Sequence, residues 1–201
     1  MFDYLVNHWL EAFGLVSSII YLYYSIQENI WCWPWGIVCS FTSVVVFFQN
    51  QLYADMGLQW YYVIVSIYGW VHWKRGNKAI TVEITNVSTR QIIALIVSCV
   101  LVYILILKAL LWLPEQLGIR GSEMSYMDAF TTAASIVATW MLARKLIEHW
   151  MIWVVINMMS TGMYVYKGMY FYAVLFLIYT IGAIWGWMEW NKNLKKETVV
   201  I

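Results

Sequence analysis

Residues 67–73 read Ile67-Tyr68-Gly69-Trp70-Val71-His72-Trp73, and residues 184–190 read Ile184-Trp185-Gly186-Trp187-Met188-Glu189-Trp190. Four of the seven positions are identical at an offset of 117, and the same offset lays residues 9–73 over residues 126–190 without a gap. Ala12, Phe13, Ser18 and Ile19 fall on Ala129, Phe130, Ser135 and Ile136. Trp33 falls on Trp150, Tyr53 on Tyr170, and Tyr62 on Tyr179. A duplicated apolar chain predicts a membrane protein with a central pathway between two related halves.

The composition agrees. The 201 residues are 63% hydrophobic and 11% charged, with mean hydropathy +0.67. A soluble domain carries roughly a quarter charged residues, so these charges are too few to coat a water-facing surface. Net charge is +1, which gives a nucleic-acid partner no electrostatic support. The 14 Trp and 15 Tyr exceed what interfacial anchoring requires and suggest a second role. Cys32, Cys39 and Cys99 lack the paired spacing of a metal or redox site and read as packing residues. No Lys or Arg precedes the first apolar run and no small-residue cleavage site follows it, so a cleaved signal peptide is not expected.

Seven segments are long enough to span a bilayer, at about 9–26, 30–48, 56–73, 90–112, 126–146, 150–166 and 169–190. Gln27-Glu28-Asn29, Gln49-Asn50-Gln51, Lys74-Arg75-Gly76-Asn77-Lys78, Leu113-Pro114, Glu148-His149 and Lys167-Gly168 separate them. Seven spans put Lys74, Arg75, Lys78, Arg90, Arg144, Lys145, Lys192, Lys195 and Lys196 on one side and Lys108, Arg120 and Lys167 on the other. The nine-to-three split of the 12 basic residues makes the richer side cytoplasmic, with the N-terminus outside and the C-terminus inside. The expected fold class is all-α integral membrane: a first three-helix bundle over 9–73, a connector helix over 90–112, a second bundle over 126–190, and a cytoplasmic tail over 191–201. Corresponding spans are four apart, so the 3+1+3 repeat is parallel, as in SWEET-like folds.

Helical spacing picks out polar faces that could line a pathway. Trp153, Asn157, Ser160, Thr161 and Tyr164 form one in the sixth span; Gln59, Tyr62, Ser66, Gly69 and Trp73 form another in the third. Trp33, Gly36, Ser40, Ser43 and Phe47 do so in the second, and Tyr179, Ala183 and Trp187 in the seventh. Amides are costly in hydrocarbon unless satisfied, so Gln59 and Asn157 should face the bundle interior. The duplication fails at both: Asn157 lies opposite Ser40, and Gln59 opposite Phe176. An asymmetric ligand on the pseudo-axis explains that divergence, and helix–helix hydrogen bonding is the competing explanation.

Glu11, Asp55, Asp128 and Glu189 stand near span ends, and Lys108 can snorkel from the last turn of the connector. With no intramembrane carboxylate or His, proton coupling is unsupported and facilitated diffusion is the simpler reading. With no buried Lys or Arg, a phosphorylated substrate is disfavoured. A cation could bind a Trp and Tyr cage, at up to about 2 kcal/mol per desolvated contact. A retinal protein needs a Lys in its last span, and 169–190 has none. His8, His72 and His149 are scattered and form no catalytic motif, so no enzyme, metal or cofactor is expected.

The chain resembles the PnuC family of bacterial vitamin transporters. The resemblance rests on Trp33-Pro34-Trp35-Gly36, on Leu52-Tyr53-Ala54-Asp55 leading through Gln59 to Tyr68-Gly69-Trp70 and Trp73, and on Trp153, Asn157, Tyr164, Lys167-Gly168, Tyr170 and Glu189-Trp190. It implies a seven-helix 3+1+3 core in the bacterial inner membrane, a homotrimer, and passive import of an unphosphorylated vitamin precursor that cytoplasmic phosphorylation then traps. Nicotinamide riboside, which feeds NAD biosynthesis, is the expected substrate, and thiamine the alternative. The expected substrate-binding residues are Gln59, Tyr62, Trp153, Asn157, Tyr164, Tyr179 and Trp187, with Trp33 and Trp73 as gates.

Overall fold

A computed structural model describes residues 9–49, 53–75, 83–117 and 124–199. Seven helices carry them: α1 (Trp9–Ile26), α2 (Cys32–Gln49), α3 (Tyr53–Arg75), α4 (Thr89–Leu117), α5 (Ser125–Ala143), α6 (His149–Tyr166) and α7 (Tyr170–Val199). The expected seven-helix, all-α architecture is the observed one. The breaks expected at Asn50-Gln51 and at Gly76-Asn77-Lys78, and the loop with Arg120, lie outside the described residues.

The shortest helices have 18 residues, about 27 Å of rise, close to the thickness of a hydrocarbon core. By length and composition, Cys32–Gln49, Thr89–Trp112 and Tyr170–Lys195 are long and apolar enough to cross a membrane, and α1 has a shorter apolar stretch, Ala12–Ile26. The polar faces of α3, α5 and α6 dilute their hydropathy.

Two expectations need correction. Leu113-Pro114 does not stop α4, which runs through Pro114 to Leu117. Proline removes one hydrogen bond to the preceding turn, and a helix about to end loses little by that. The expected tail over 191–201 is helical as far as Val199, because α7 continues for 30 residues. Pro34 falls in the first turn of α2, where its missing N–H costs nothing.

The chain divides into two compact units. One holds the first three helices, Leu142–Lys145 and the end of α7 from Met188; the other holds Thr85–Met141 and Leu146–Trp187. In the first unit α2 packs between α1 and α3. The Trp33 ring occupies the place where a Cβ on Gly69 would stand. In the second unit, Trp150 does the same at Gly186. Each Trp lies 117 positions from the other, and so does each Gly, so both copies fold with the same ring-on-glycine contact.

In the second unit α5 is a small-residue helix. Ala129, Ala133, Ala134 and Ala138 are buried, which lets neighbours approach closely. Ala134 and Ala138 pack with Ile156, and Ile152 and Trp153 cover them. Val137, Met141 and Leu146 form a second cluster, which Leu95 and Cys99 of α4 join. Most of the remaining surface of α4 is apolar and outward, with Leu105 70% exposed. Such a face is stable only against lipid or another apolar surface.

Helix ends follow recognisable rules. Ser88 and Gln91 form a capping box before α4: the Ser88 N–H donates to Gln91 Oε1 at 2.9 Å and the Gln91 N–H to Ser88 Oγ at 3.4 Å. The α6 end closes as a Schellman motif on Gly168, at φ 69°. The ends of α1 and α5 close in the same way, but on Glu28 (φ 52°) and Lys145 (φ 54°). There the Asn29 N–H donates to Tyr24 O and the Glu28 N–H to Ser25 O, and Leu146 and Lys145 repeat this with Met141 and Leu142. All four bonds match at the 117-residue offset.

Candidate functional site

Gln59 and Tyr62 stand half-buried on one face of α3, in the first unit. Trp153, Asn157 and Tyr164 share a face of α6, and Tyr179 and Trp187 stand half-buried on α7, all in the second unit. Asn157 is only 4% exposed.

The two amides behave alike. Among the described residues, neither the Gln59 nor the Asn157 side chain hydrogen-bonds another residue. Three hydroxyls on these helices and on α2 differ, because they are satisfied within their own helices. Thr161 Oγ1 donates to Asn157 O at 2.8 Å, Ser43 Oγ to Cys39 O at 3.0 Å, and Thr180 Oγ1 to Phe176 O at 2.9 Å. These three hydroxyls therefore need no partner from elsewhere, whereas the amides retain donors and acceptors for one. Helix-to-helix bonding by these amides, the competing explanation for their presence, is not observed among the described residues.

The aromatic residues are organised into a chain. Tyr164 stacks on Phe176 (5.2 Å between centroids) and on Tyr172 (5.3 Å), and Tyr179 meets Phe176 edge-on at 5.8 Å. Phe176, the counterpart of Gln59, thus joins α6 to α7. Trp153 leans on the alanine cluster of α5, which fixes its ring. On α3, Tyr62 lies 5.7 Å from Tyr61.

Trp33 and Trp73 meet edge-to-face at 5.2 Å, so both expected gating rings lie at the same end of the first unit. Trp33 is fully buried against Gly69. Trp73 donates its Nε1–H to Ala143 O at 3.1 Å, and its counterpart Trp190 donates to Ser25 O at 3.0 Å. Each ring thereby satisfies a carbonyl in the last turn of a helix belonging to the other copy.

Two residues at this end escape a reading based on polar stripes. Lys145 Nζ donates to Glu28 Oε2 at 3.1 Å, and the Asn193 amide donates to Glu28 Oε1 at 2.7 Å. The Lys145 ammonium also lies 4.8 Å from the centre of a Trp73 ring. The signal was present in the duplication, since Glu28 and Lys145 occupy equivalent positions with opposite charge. Among the described residues no three His, Cys, Asp or Glu side chains gather as a metal site.

Comparison with known proteins places these features in a family. The chain is 24% identical over 209 aligned residues to the nicotinamide riboside transporter PnuC of Escherichia coli strain K12, covering 94% of this chain and 87% of that one. It is 26% identical to the riboflavin/roseoflavin transporter RibM of Streptomyces davaonensis, covering 94% and 88%. Its fold is similar to a crystal structure of the vitamin B3 transporter PnuC, with TM-score 0.73 at 21% identity, over 97% of this chain and 86% of that one. The model of the family described as nicotinamide mononucleotide transporter matches residues 8–192, nearly the whole duplicated region and its flanks, and the chain belongs to this family of membrane transporters.

Proposed function

We propose that this protein is a facilitator that imports unphosphorylated nicotinamide riboside through the bacterial cytoplasmic membrane. The observation that carries the reading is the pair of amides, Gln59 and Asn157, without hydrogen-bond partners among the described residues and set on helix faces rich in rings. The substrate has a cationic pyridinium, a carboxamide and a ribose. Trp153, Tyr62 and Trp187 would stack on the cationic ring. Gln59 and Asn157 would bond the carboxamide and hydroxyls, with Tyr164 and Tyr179 completing the lining.

The family description names a mononucleotide, but the chemistry favours the riboside. A phosphate calls for fixed positive charge. Among the described basic residues, Lys145 is paired with Glu28, and Lys108 is exposed on α4. Among the described residues those faces carry no carboxylate or histidine, which supports transport down the substrate gradient, with cytoplasmic phosphorylation making uptake one-way. The 3+1+3 parallel repeat supplies the two bundles that alternate around the site. The basic-residue count supports an N-terminus outside and a C-terminus in the cytoplasm. The outward apolar face of α4 supports lipid contact, and the family resemblance supports a homotrimer.

A second substrate reading is riboflavin, favoured by the similarity to RibM. Thiamine has no comparable support. Thermal stabilisation of purified protein separates them, because a ligand that binds only the folded state raises the midpoint. Nicotinamide riboside should shift it at concentrations where its 5′-phosphate, riboflavin and thiamine do not. A shift with riboflavin alone would replace the proposed substrate.

A further inference from the structure

The two copies of the duplicated sequence touch through equivalent residues within the first compact unit. Glu28 and Lys145 are 117 positions apart and form an ion pair at 3.1 Å. Trp73 and Trp190 are also 117 positions apart, with ring centroids 6.4 Å from one another. When equivalent residues of two copies contact each other, the local two-fold axis passes between them. The four side chains therefore straddle the axis along which a carrier built from two related halves would place its pathway.

The pair is built rather than incidental. Both side chains are 14% exposed, so water screens the pair far less than it would screen a surface pair. The second carboxylate oxygen is held by Asn193, and the ammonium is additionally placed near the Trp73 ring. Both residues occupy a left-handed position that favours glycine, as Gly168 shows at the end of α6. Retaining a long charged side chain at a strained backbone position points to a role for the side chain itself. Two glutamates or two lysines here would repel across the axis, so the change to opposite charge turns repulsion into attraction.

The geometry points to a breakable latch: Glu28 and Lys145 close the cytoplasmic end of the transport pathway over the Trp73 and Trp190 rings, and separate when that end opens. This rests on the transport reading above. An ion pair suits the task, since water entering on opening would solvate both charges and lower the cost of parting them.

Two measurements test it, one of them independent of the substrate. Ser25, buried next to these rings, is replaced by Cys and labelled with a membrane-impermeant thiol reagent from the cytoplasmic side. The comparison covers the parent, Glu28→Gln, Lys145→Gln and the exchanged Glu28→Lys/Lys145→Glu. Labelling above that of the native thiols should be at least fivefold faster in both single variants and return toward the parent in the exchange. Equal rates in all four overturn the latch. In the second test, Glu28→Cys/Lys145→Cys is bridged by a short bis-thiosulfonate in liposomes. Bridging should lower nicotinamide riboside exchange at least tenfold, reversibly on reduction, while either single cysteine variant is unaffected by the reagent. Undiminished exchange after complete bridging overturns the latch. Absence of nicotinamide riboside exchange in the parent counts against the substrate reading, and the labelling rates still decide the latch.

Discussion

The Trp33 ring fills the space that a Cβ on Gly69 would need, and Trp150 fills the equivalent space at Gly186. Alanine at either glycine must displace a large buried ring. Gly69→Ala and Gly186→Ala should each cost about 1–3 kcal/mol, read as a lower thermal midpoint in detergent. Gly57 and Gly162 stand in helices with open space where a Cβ would go. Alanine at those positions should be neutral or raise the midpoint, by up to about 1 kcal/mol in helix propensity. The same sign at all four positions would contradict the packing described here.

Asn157→Ala and Gln59→Ala should leave the ligand-free midpoint within a degree or two, because neither amide bonds another described residue. Both should weaken nicotinamide riboside binding about tenfold or more, the scale of losing one hydrogen bond to a site that desolvates its ligand. Isothermal titration of variants that retain a sharp gel-filtration peak checks this. Unchanged affinity in both would remove the amides from the site.

Phe176→Gln makes the two copies alike at this position. The glutamine would interrupt the Tyr164–Phe176–Tyr179 chain of rings and bring an amide into an aromatic setting. A loss of about 1–3 kcal/mol is expected, visible as a lower midpoint without ligand. A stability equal to the parent would mean that the ring chain contributes little.

Gly168 closes α6 at φ 69° with no neighbour near its missing Cβ. Its replacement by Ala tests backbone strain alone, with an expected cost of about 1–2 kcal/mol. Gly168→Asn should cost less than Gly168→Ala, since Asn tolerates the left-handed region better. Thermal midpoints of the two variants, measured side by side, give the order.

Much of this architecture was legible in the sequence because apolar runs of about 20 residues admit few alternatives in a bilayer. The first span was expected at 9–26 and α1 is Trp9–Ile26. The error at Pro114 came from treating proline as a stop, although a helix can pass through it near its end. The length of α7 was missed because residues 191–199 are polar, and hydropathy reports burial in lipid rather than helicity. The duplication singled out Gln59 and Asn157 by their divergence, and among the described residues neither side chain hydrogen-bonds another residue. It could not show that Phe176 stacks on Tyr164, because ring pairing depends on rotamers and helix crossing. Glu28 entered the sequence reading only as part of a break between spans, and Lys145 only in the tally of basic residues. Their contact depends on where two helix ends meet, and hydrophobic periodicity carries no record of that.

The ion pair between positions 28 and 145 also dates itself relative to the duplication. In a symmetric dimer encoded by one short gene, the residue facing its own mate must be identical on both sides, and neither Glu nor Lys can attract itself. Opposite charges at this point became available only once the two copies were separately encoded and free to diverge.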